Sequence, residues 1–286
     1  MSRNCVPRAQ QMPQTYSPKD YWSGVADSGA NDATGYAPVL HPDAPEWFNA
    51  LIDRLQERAW KRGLAWASAA PGARVLDVGC GTGRWLRRYA EFGLNAFGVD
   101  ATPGMLRRAQ EIGTNCPVVA APAQRLPFQN EAFDFVSAVT VVQHVPADAQ
   151  PRVLREMARV LRPGGHLMLL ELTRGYGPHV FPRAPANWIQ QVSAAGLSLV
   201  NYGGQEFLLV DRALVKCVQA IRGVAGASGG ATLPGQTPST DSWSPSRKIY
   251  WAARHVACKL SEWIEPGSQR ICPVESATHV LMVFRK

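Results

Sequence analysis

The residues best placed to do chemistry form a glycine-rich turn, Gly79-Cys80-Gly81-Thr82-Gly83, that directly follows the apolar run Val75-Leu76-Asp77-Val78. Glycine has no Cβ atom and readily adopts positive φ, so such a turn lets a ligand lie directly against the backbone. Dinucleotide dehydrogenases use Gly-x-Gly-x-x-Gly to hold a pyrophosphate at a helix N-terminus. Here the third glycine comes one place early and Arg84 occupies the sixth position. The spacing therefore departs from that of a pyrophosphate-binding turn.

The run from Val75 to Gly83 resembles the nucleotide-binding motif of the class I S-adenosylmethionine-dependent methyltransferases. Similarity to the small-molecule branch of that family continues through roughly Ala73 to Leu172. Asp77, just before the turn, also fits that family better than the dehydrogenases. The resemblance implies a Rossmann-like fold, S-adenosylmethionine as cofactor, and methyl transfer to a second substrate. Because this cofactor has no phosphate, the turn need only accommodate its methionine moiety.

Asp100 is the acidic residue that the resemblance places against the ribose. It ends the predicted second strand at Gly98-Val99-Asp100, where a carboxylate can accept hydrogen bonds from both ribose hydroxyls. The alternative is that Asp100 caps the helix that begins near Pro103. The ribose role is favoured, because strand end, acidic residue and distance from the turn agree.

The predicted adenine loop, Pro122-Ala123-Gln124-Arg125-Leu126-Pro127-Phe128, departs from the family pattern. Pro122 stands where the family commonly has an acidic side chain, so we expect the backbone of Ala123 and the side chain of Gln124 to bind adenine. No metal ion is expected. The complete predicted cofactor site consists of Tyr21, Asp77, Gly79, Cys80, Gly81, Gly83, Asp100, Ala101, Ala123, Gln124, Val139 and Thr140.

His144 is the predicted catalytic residue, because it follows the fourth strand, whose exit faces the sulfonium and the acceptor in related enzymes. Methyl transfer is an in-line displacement with a neutral leaving group, so it needs alignment and exclusion of water more than a base. A hydroxyl acceptor would benefit from a base, with His179 and Glu171 as further candidates. The alternative is that His144 packs the start of a helix.

Aromatic side chains near the N-terminus could contact the cationic sulfonium, or could pack as core or lid. They are Tyr16, Tyr21, Trp22 and Tyr36.

Strands alternate strictly with helices in the region that resembles the family, which predicts a parallel sheet with helices on both faces. The fold class expected is a Rossmann-like, seven-stranded class I methyltransferase sheet of α/β type. The predicted strands are 73–78, 95–100, 117–121, 133–139, 166–172, 197–202 and 278–285.

Two segments outside this alternation are expected to cover the carboxyl edge of the sheet. Residues 1–70 are predicted to be an N-terminal lid with one amphipathic helix from Asp43 to about Ser68, and residues 71–286 the Rossmann-like domain. The insertion at 203–276, with helices near 211–222 and 247–263 around a Gly/Ser/Pro-rich loop, is predicted to shape the acceptor pocket.

Composition narrows the class of protein less than the motifs do. The chain has 286 residues, 46% of them apolar, and a net charge of +8, which would suit phosphorylated molecules, nucleic acid or an anionic membrane surface. Six scattered cysteines indicate free thiols. No apolar stretch is long enough to cross a bilayer, so a cytoplasmic location is expected, with peripheral membrane contact left open. Arg84, Arg87 and Arg88 are interpreted as a solvated helix face.

The acceptor is predicted from what is missing after the fourth strand. The sequence has no Asp- or Asn-Pro-Pro-aromatic run and no Pro-Cys nucleophile there, so nucleic-acid bases are disfavoured. The hypothesis is a small-molecule acceptor methylated at oxygen, or less readily nitrogen: a sugar, a phenol, a quinone-like compound or a lipid-linked intermediate. The alternatives are an RNA or protein methyltransferase and a noncatalytic cofactor-binding scaffold.

Overall fold

The structure is a computed structural model that describes residues 16–28, 40–41, 44–174, 179–224 and 244–286. Tyr36, Asp43 and residues 225–243 of the predicted loop lie outside this part of the chain. Within it, no helix is both long and apolar enough to span a membrane. The cysteines that can be described are free thiols: Cys80, Cys116, Cys217, Cys258 and Cys272.

Seven strands form one sheet, which confirms the predicted fold class. Their order across the sheet is β3-β2-β1-β4-β5-β7-β6. The pairs β1–β2, β1–β4, β2–β3 and β4–β5 are parallel, and β7 runs antiparallel to both of its neighbours. The strands are β1 Arg74–Val78, β2 Asn95–Asp100, β3 Val118–Ala120, β4 Phe133–Val139, β5 Leu161–Leu172, β6 Ser198–Gln205 and β7 His279–Arg285.

The parallel arrangement predicted from the strand and helix alternation is confirmed for β1 to β5, and β7, which lies beyond that alternation, is antiparallel. A buried strand shows the same apolar pattern in either direction, so periodicity cannot report its orientation. The chain reaches β7 from a helix packed over the exit of β6, and His279 at the start of β7 pairs with Leu172 at the end of β5. Strand β7 must therefore run in the direction opposite to β5 and β6.

Eight helices are described. They are α1 Pro18–Ser28, α2 Glu46–Trp66, α3 Arg84–Glu91, α4 Pro103–Glu111, α5 Gln150–Val160, α6 Pro185–Ala194, α7 Leu209–Val224 and α8 Pro245–Ile271. A 3-10 turn, Val142–His144, follows β4. The amphipathic helix predicted from Asp43 begins at Glu46, after Pro45.

Alternate residues of each strand face opposite sides of the sheet, and the two faces build two cores. On one face, strand residues such as Val136 and Leu169 pack with Leu154 of α5 and Trp188 of α6. On the other face, residues such as Phe135 and Leu170 pack with side chains of α2, α3 and α4, including Trp60, Trp85 and Leu106. This double packing fixes the strand ends, so the loops that leave β1, β2 and β4 start from rigid positions.

Strand β5 begins at Leu161, five residues earlier than predicted. The run Arg162-Pro163-Gly164-Gly165 ends α5 as expected, but it enters the sheet instead of forming a separate turn. Pairing with β4 is irregular there, because Phe133 aligns with Leu161 and Phe135 with His166. Gly164 has a φ of +76°, which accommodates this irregularity.

Candidate functional site

A cleft of about 990 Å³, counting the part open to solvent, lies at the carboxyl ends of β1, β2 and β4. Open α/β sheets bind ligands at this edge. The predicted residues that line it are Gly79, Cys80, Gly81, Asp100, Ala101, Ala123, Gln124, Val139, Thr140 and His144. One cleft thus brings together residues that are far apart in the sequence.

The glycine turn forms one wall of the cleft with bare backbone. The N–H groups of Gly79 and Cys80 donate to the carbonyl of Val99 at 2.7 and 3.1 Å, which ties the exit of β1 to that of β2. Gly79 and Gly81 have φ values of +71° and +51°. A Cβ atom on Gly79 would lie 2.5 Å from Cγ2 of Val141, another residue of the cleft wall. Only glycine fits at position 79.

Asp100 lies beside the turn in the cleft wall and is hydrogen-bonded to it. Its Oδ2 accepts from the backbone N–H of Gly81 at 2.9 Å, and its Oδ1 accepts from the N–H of Thr102 at 2.8 Å. Burial raises the pKa of the carboxyl, and these two N–H donors oppose the shift. Each oxygen keeps a second lone pair, so the carboxylate can also accept two hydroxyl groups of a ligand.

The exit of β4 holds a strained residue. Thr140 has a φ of +58°, although threonine is β-branched, and its N–H donates to the carbonyl of Leu170 at 2.7 Å. Its hydroxyl donates to the carbonyl of Val139 at 2.7 Å. Non-glycine residues held in this region cost about 1–3 kcal/mol and concentrate at functional sites.

Glu171 fixes the turn that carries His144. Its fully buried carboxylate accepts from the backbone N–H groups of Val141, Val142 and Gln143 at 3.3, 3.0 and 3.0 Å. Burial raises the pKa of this carboxyl to about 7, and the N–H donors oppose the shift. Glu171 therefore holds the turn in place, and its oxygens face backbone instead of a substrate.

His144 is held as a neutral imidazole. Its Nδ1 lies 3.1 Å from the carbonyl of His179, which can only accept, so Nδ1 carries the proton. Its Nε2 lies 3.3 Å from the side-chain nitrogen of Gln143, so Nε2 accepts. Burial lowers the pKa of His144 to about 4, opposed by the bond to His179. The ring is uncharged at neutral pH and is a weak base.

An aromatic group covers this part of the cleft. Trp22 from α1 lines the cleft and meets the ring of His144 edge-on, with 5.0 Å between ring centroids. Tyr16 donates from its hydroxyl to the carbonyl of His144 at 3.0 Å. The rings of His144 and His179 stack at 5.5 Å. An acceptor that enters here would meet aromatic faces and edges.

Three predicted cofactor residues lie outside the cleft wall. Tyr21 stacks on His179 at 4.4 Å, because successive helical residues point about 100° apart and its neighbour Trp22 takes the cleft position. Asp77 is buried inside β1, where it accepts from the Ser137 hydroxyl at 2.8 Å. Gly83 begins α3, and a Cβ atom there would lie 2.3 Å from the Thr114 hydroxyl oxygen. The last two support the turn from behind.

Replacing Asp77 with asparagine is expected to stabilise the protein by about 2 kcal/mol at pH 8 and hardly at all near pH 4. Burial raises the pKa of Asp77 to about 7, so ionising it costs stability as the pH rises from about 4 through 7. Urea unfolding at both pH values measures the difference. The exposed Asp148→Asn variant is the control for charge alone. Equal stability of the Asp77 variant and the parent at pH 8 would contradict the assignment.

Several cleft residues were not predicted, among them Trp85, Met105 and Arg84, whereas Trp22 was one of the aromatic candidates for the sulfonium. The interpretation of Arg84, Arg87 and Arg88 as a solvated face was wrong. Arg84 is buried and pairs with Asp53 at 3.0 Å and Gln56 at 2.7 Å, both on α2. Arg88 also pairs with Asp53, at 2.6 Å. Their helical spacing was visible in the sequence, but the carboxylate from another helix was not.

Comparison with known proteins shows that this chain is similar to methyltransferases. A family model described as "Methyltransferase domain" matches residues 76–169. The demethylmenaquinone methyltransferase of Renibacterium salmoninarum is 35% identical over 132 residues, covering 46% of this chain and 55% of that protein. The ubiquinone/menaquinone biosynthesis C-methyltransferase UbiE of Laribacter hongkongensis is 34% identical over 153 residues, covering 50% and 62%.

Proteins with other printed names also match this chain. The probable tRNA methyltransferase 9B of Mus musculus is 34% identical over 117 residues, covering 40% of this chain and 25% of that protein. The chain thus spans less than two thirds of each of these relatives. Phosphoethanolamine N-methyltransferase 2 of Haemonchus contortus, solved with S-adenosyl-L-methionine, shares the fold with a TM-score of 0.54 and 16% identity, over 96% of this chain and 60% of that one.

Proposed function

We propose that the chain is a class I S-adenosylmethionine-dependent methyltransferase that binds S-adenosylmethionine in the described cleft and methylates a small molecule. The match of residues 76–169 to a methyltransferase domain supports this proposal. The observation that carries the proposal is the hydrogen bond between Gly81 N–H and the Asp100 carboxylate in the cleft wall. This bond brings the bare turn together with Asp100, the acid that we propose binds the ribose, and so supports the proposal.

The residues present fit this cofactor. The turn at Gly79 and Gly81 offers backbone without Cβ atoms, which suits the methionine moiety, and Asp100 has lone pairs for two ribose hydroxyls. Ala123 and Gln124 line the same cleft and are the proposed adenine contacts. When bound, S-adenosylmethionine supplies an electrophilic methyl carbon on a cationic sulfonium. The aromatic ring of Trp22 can stabilise such a cation.

The residues of the chain itself align the acceptor and exclude water. Glu171 holds the turn Val142–His144 through backbone N–H groups, and Trp22 lines the cleft beside it. Ordered aromatic and backbone surfaces orient an acceptor and exclude water, which an in-line displacement requires. His144 presents a neutral ring and can accept a proton only weakly. The acceptor should therefore arrive with an electron pair already available.

These features suit a flat, electron-rich ring as the acceptor, such as a phenol or a quinol-like compound. The relatives named for demethylmenaquinone and for ubiquinone/menaquinone biosynthesis support this choice. Oxygen stays the predicted acceptor atom, and ring carbon, which the name of one relative indicates, is the rival. The tRNA-methyltransferase relative and the charge of +8 favour RNA as the second candidate.

We also propose the division of the chain predicted from the sequence. Residues 1–70 act as a lid segment, supported by Pro18 and Trp22 of α1 in the cleft wall. Residues 71–286 form the catalytic domain, and the insertion at 203–276 shapes the acceptor pocket. The cytoplasmic location stays a prediction.

Calorimetry and a labelled-methyl screen test the function. We expect the parent to bind S-adenosylmethionine and its demethylated product, and to transfer the methyl group to phenolic or quinol acceptors. Magnetic resonance of an isotope-labelled methyl carbon then tells an oxygen-bound product from a carbon-bound one. Transfer to RNA alone, with steep salt dependence, would replace the proposal by its rival. Binding without transfer to any acceptor would indicate a scaffold.

Replacing His144 with alanine is expected to lower kcat by about tenfold to a hundredfold while cofactor affinity is kept, because the ring lines the cleft and would help to align the acceptor. Because its pKa is about 4, the kcat of the parent should show no inflection from His144 between pH 6 and 8. Steady-state kinetics and calorimetry measure both properties. The exposed Asp148→Ala variant, which leaves the ring and its hydrogen-bond partners in place, is the control. Unchanged kcat in His144→Ala would leave the residue a structural role.

A further inference from the structure

Helix α8 carries a row of large apolar side chains on its outer face. The five residues are between 50% and 85% exposed: Ile249, Val256, Leu260, Trp263 and Ile271. Their spacings of seven, four, three and eight residues return to one side of a helix with 3.6 residues per turn. At 1.5 Å per residue this α8 stripe is about 33 Å long. An apolar patch of this length indicates a binding surface.

The opposite face of α8 is fixed to the domain, so the stripe cannot turn inward. Glu265 accepts from the N–H groups of Phe207 and Leu208 at 3.0 and 3.3 Å. Ser261 accepts from the N–H of Asp211 at 3.1 Å. The guanidinium of Arg254 forms two bonds with the Asp211 carboxylate, at 2.8 and 2.6 Å.

Positive charge borders the stripe. Lys248, Lys259 and Arg270 are exposed and follow each other at intervals of eleven residues, so they form a row beside the apolar side chains. Within the described residues, the carboxylates of α8 are turned elsewhere. Glu262 pairs with Arg54 and Arg58 of α2, at 3.0 and 2.8 Å, and Glu265 is buried. The border of the stripe is therefore cationic.

We propose that the α8 stripe docks on an anionic lipid membrane. The helix lies along the bilayer surface, with Trp263 and its apolar neighbours among the acyl chains and the row of cations at the lipid phosphates. An apolar face beside basic residues is the pattern of interfacial helices. A second copy of the chain is a poorer occupant, because its own cations would face the same row. RNA is poorer too, since five aliphatic and indole side chains offer phosphates nothing.

The position of α8 gives the docking a consequence for the cleft. Glu265 binds the backbone just beyond Gln205, where β6 ends, and parallel β5 and β6 share the carboxyl edge at which the cleft opens. If α8 docks on a membrane, the carboxyl edge of the sheet stays near the bilayer, where apolar acceptors are dissolved. The docking itself does not depend on the proposed methyl transfer.

Flotation of the full chain with lipid vesicles tests the proposal. We expect binding to vesicles of phosphatidylcholine and phosphatidylglycerol, and weaker binding to phosphatidylcholine alone. Ile249→Ser with Trp263→Ser should weaken binding to the anionic vesicles by about thirtyfold. The matched control, Phe92→Ser with Val200→Ser, removes two exposed apolar side chains elsewhere and should bind like the parent.

The charge of the border is tested separately. Lys259→Glu should weaken binding to the anionic vesicles by about tenfold and leave binding to neutral vesicles unchanged. Arg155→Glu, an exposed residue of α5, is its control. Circular dichroism identifies a variant that fails to fold. If the double serine variant does not fold, Lys259→Glu still tests the proposal. The proposal is wrong if the parent does not bind anionic vesicles. It is also wrong if the parent binds no vesicles but forms a dimer in ultracentrifugation and Trp263→Ser abolishes that dimer.

Discussion

Replacing Asp100 with alanine is expected to weaken binding of S-adenosylmethionine by about a hundredfold to a thousandfold, which corresponds to about 3–4 kcal/mol. The substitution removes the charged acceptor that we propose for two ribose hydroxyls. It also leaves the N–H groups of Gly81 and Thr102 without the carboxylate that they now bond. The turn would therefore lose its order together with a direct ligand contact, and the two losses act in the same direction. Calorimetry with the demethylated product measures the effect.

Two further variants separate these contributions. Asp148→Ala removes an exposed carboxylate and should bind like the parent. Asp100→Asn keeps one oxygen but turns an amide NH₂ toward one of the two backbone N–H groups, so its affinity should fall between parent and alanine variant. If Asp100→Ala binds as tightly as the parent, the carboxylate only caps the neighbouring backbone, and the ribose assignment is wrong.

Replacing Gly79 with alanine is expected to abolish measurable cofactor binding and to lower the free energy of unfolding by about 3 kcal/mol. Alanine must adopt a φ of +71°, and its Cβ atom would lie 2.5 Å from Val141. The turn or Val141 has to move, and both line the cleft. Urea unfolding and calorimetry measure the two losses.

Gly113 offers a matched control for this substitution. Its φ is +89°, but a Cβ atom there would have no neighbour within 4 Å. Gly113→Ala should therefore show only the backbone cost of about 1–2 kcal/mol, with cofactor binding kept. Adding Val141→Ala to Gly79→Ala should restore part of the stability, because it removes the methyl groups in the way. Equal unfolding curves for Gly79→Ala and Gly113→Ala would show that the close approach is unimportant.

The parts of the site that sequence reasoning found are governed by the backbone. The glycines at 79 and 81 are required by positive φ, and Asp100 stands at a strand end that the alternation of apolar and glycine residues indicates. Tyr21 and Trp22 show where such reasoning stops. Both are aromatic residues of one short helix, and only the rotation of α1 against α4 and the turn after β4 decides which one enters the cleft.

The buried arginines show that a local sequence pattern also cannot predict which charges are buried. Arg84 and Arg88 have the spacing of a solvated face, and a solvated face was predicted. Their carboxylate, Asp53, lies more than thirty positions earlier, on α2. A local pattern cannot show that a distant helix covers it. The cost of burying these charges is offset only in the folded protein, where the partners meet.

The sequence by itself determined the α/β alternation, the glycine turn and the acid at the end of β2, since these depend on residue type and on short-range backbone geometry. Only the tertiary structure decided the reversed direction of β7, the burial of Arg84, the choice of Trp22 and the exposure of the α8 stripe. Each of these depends on which surfaces meet across long distances in the chain. Apolar periodicity reports that a face is apolar, and packing alone decides whether that face is buried or left for a partner.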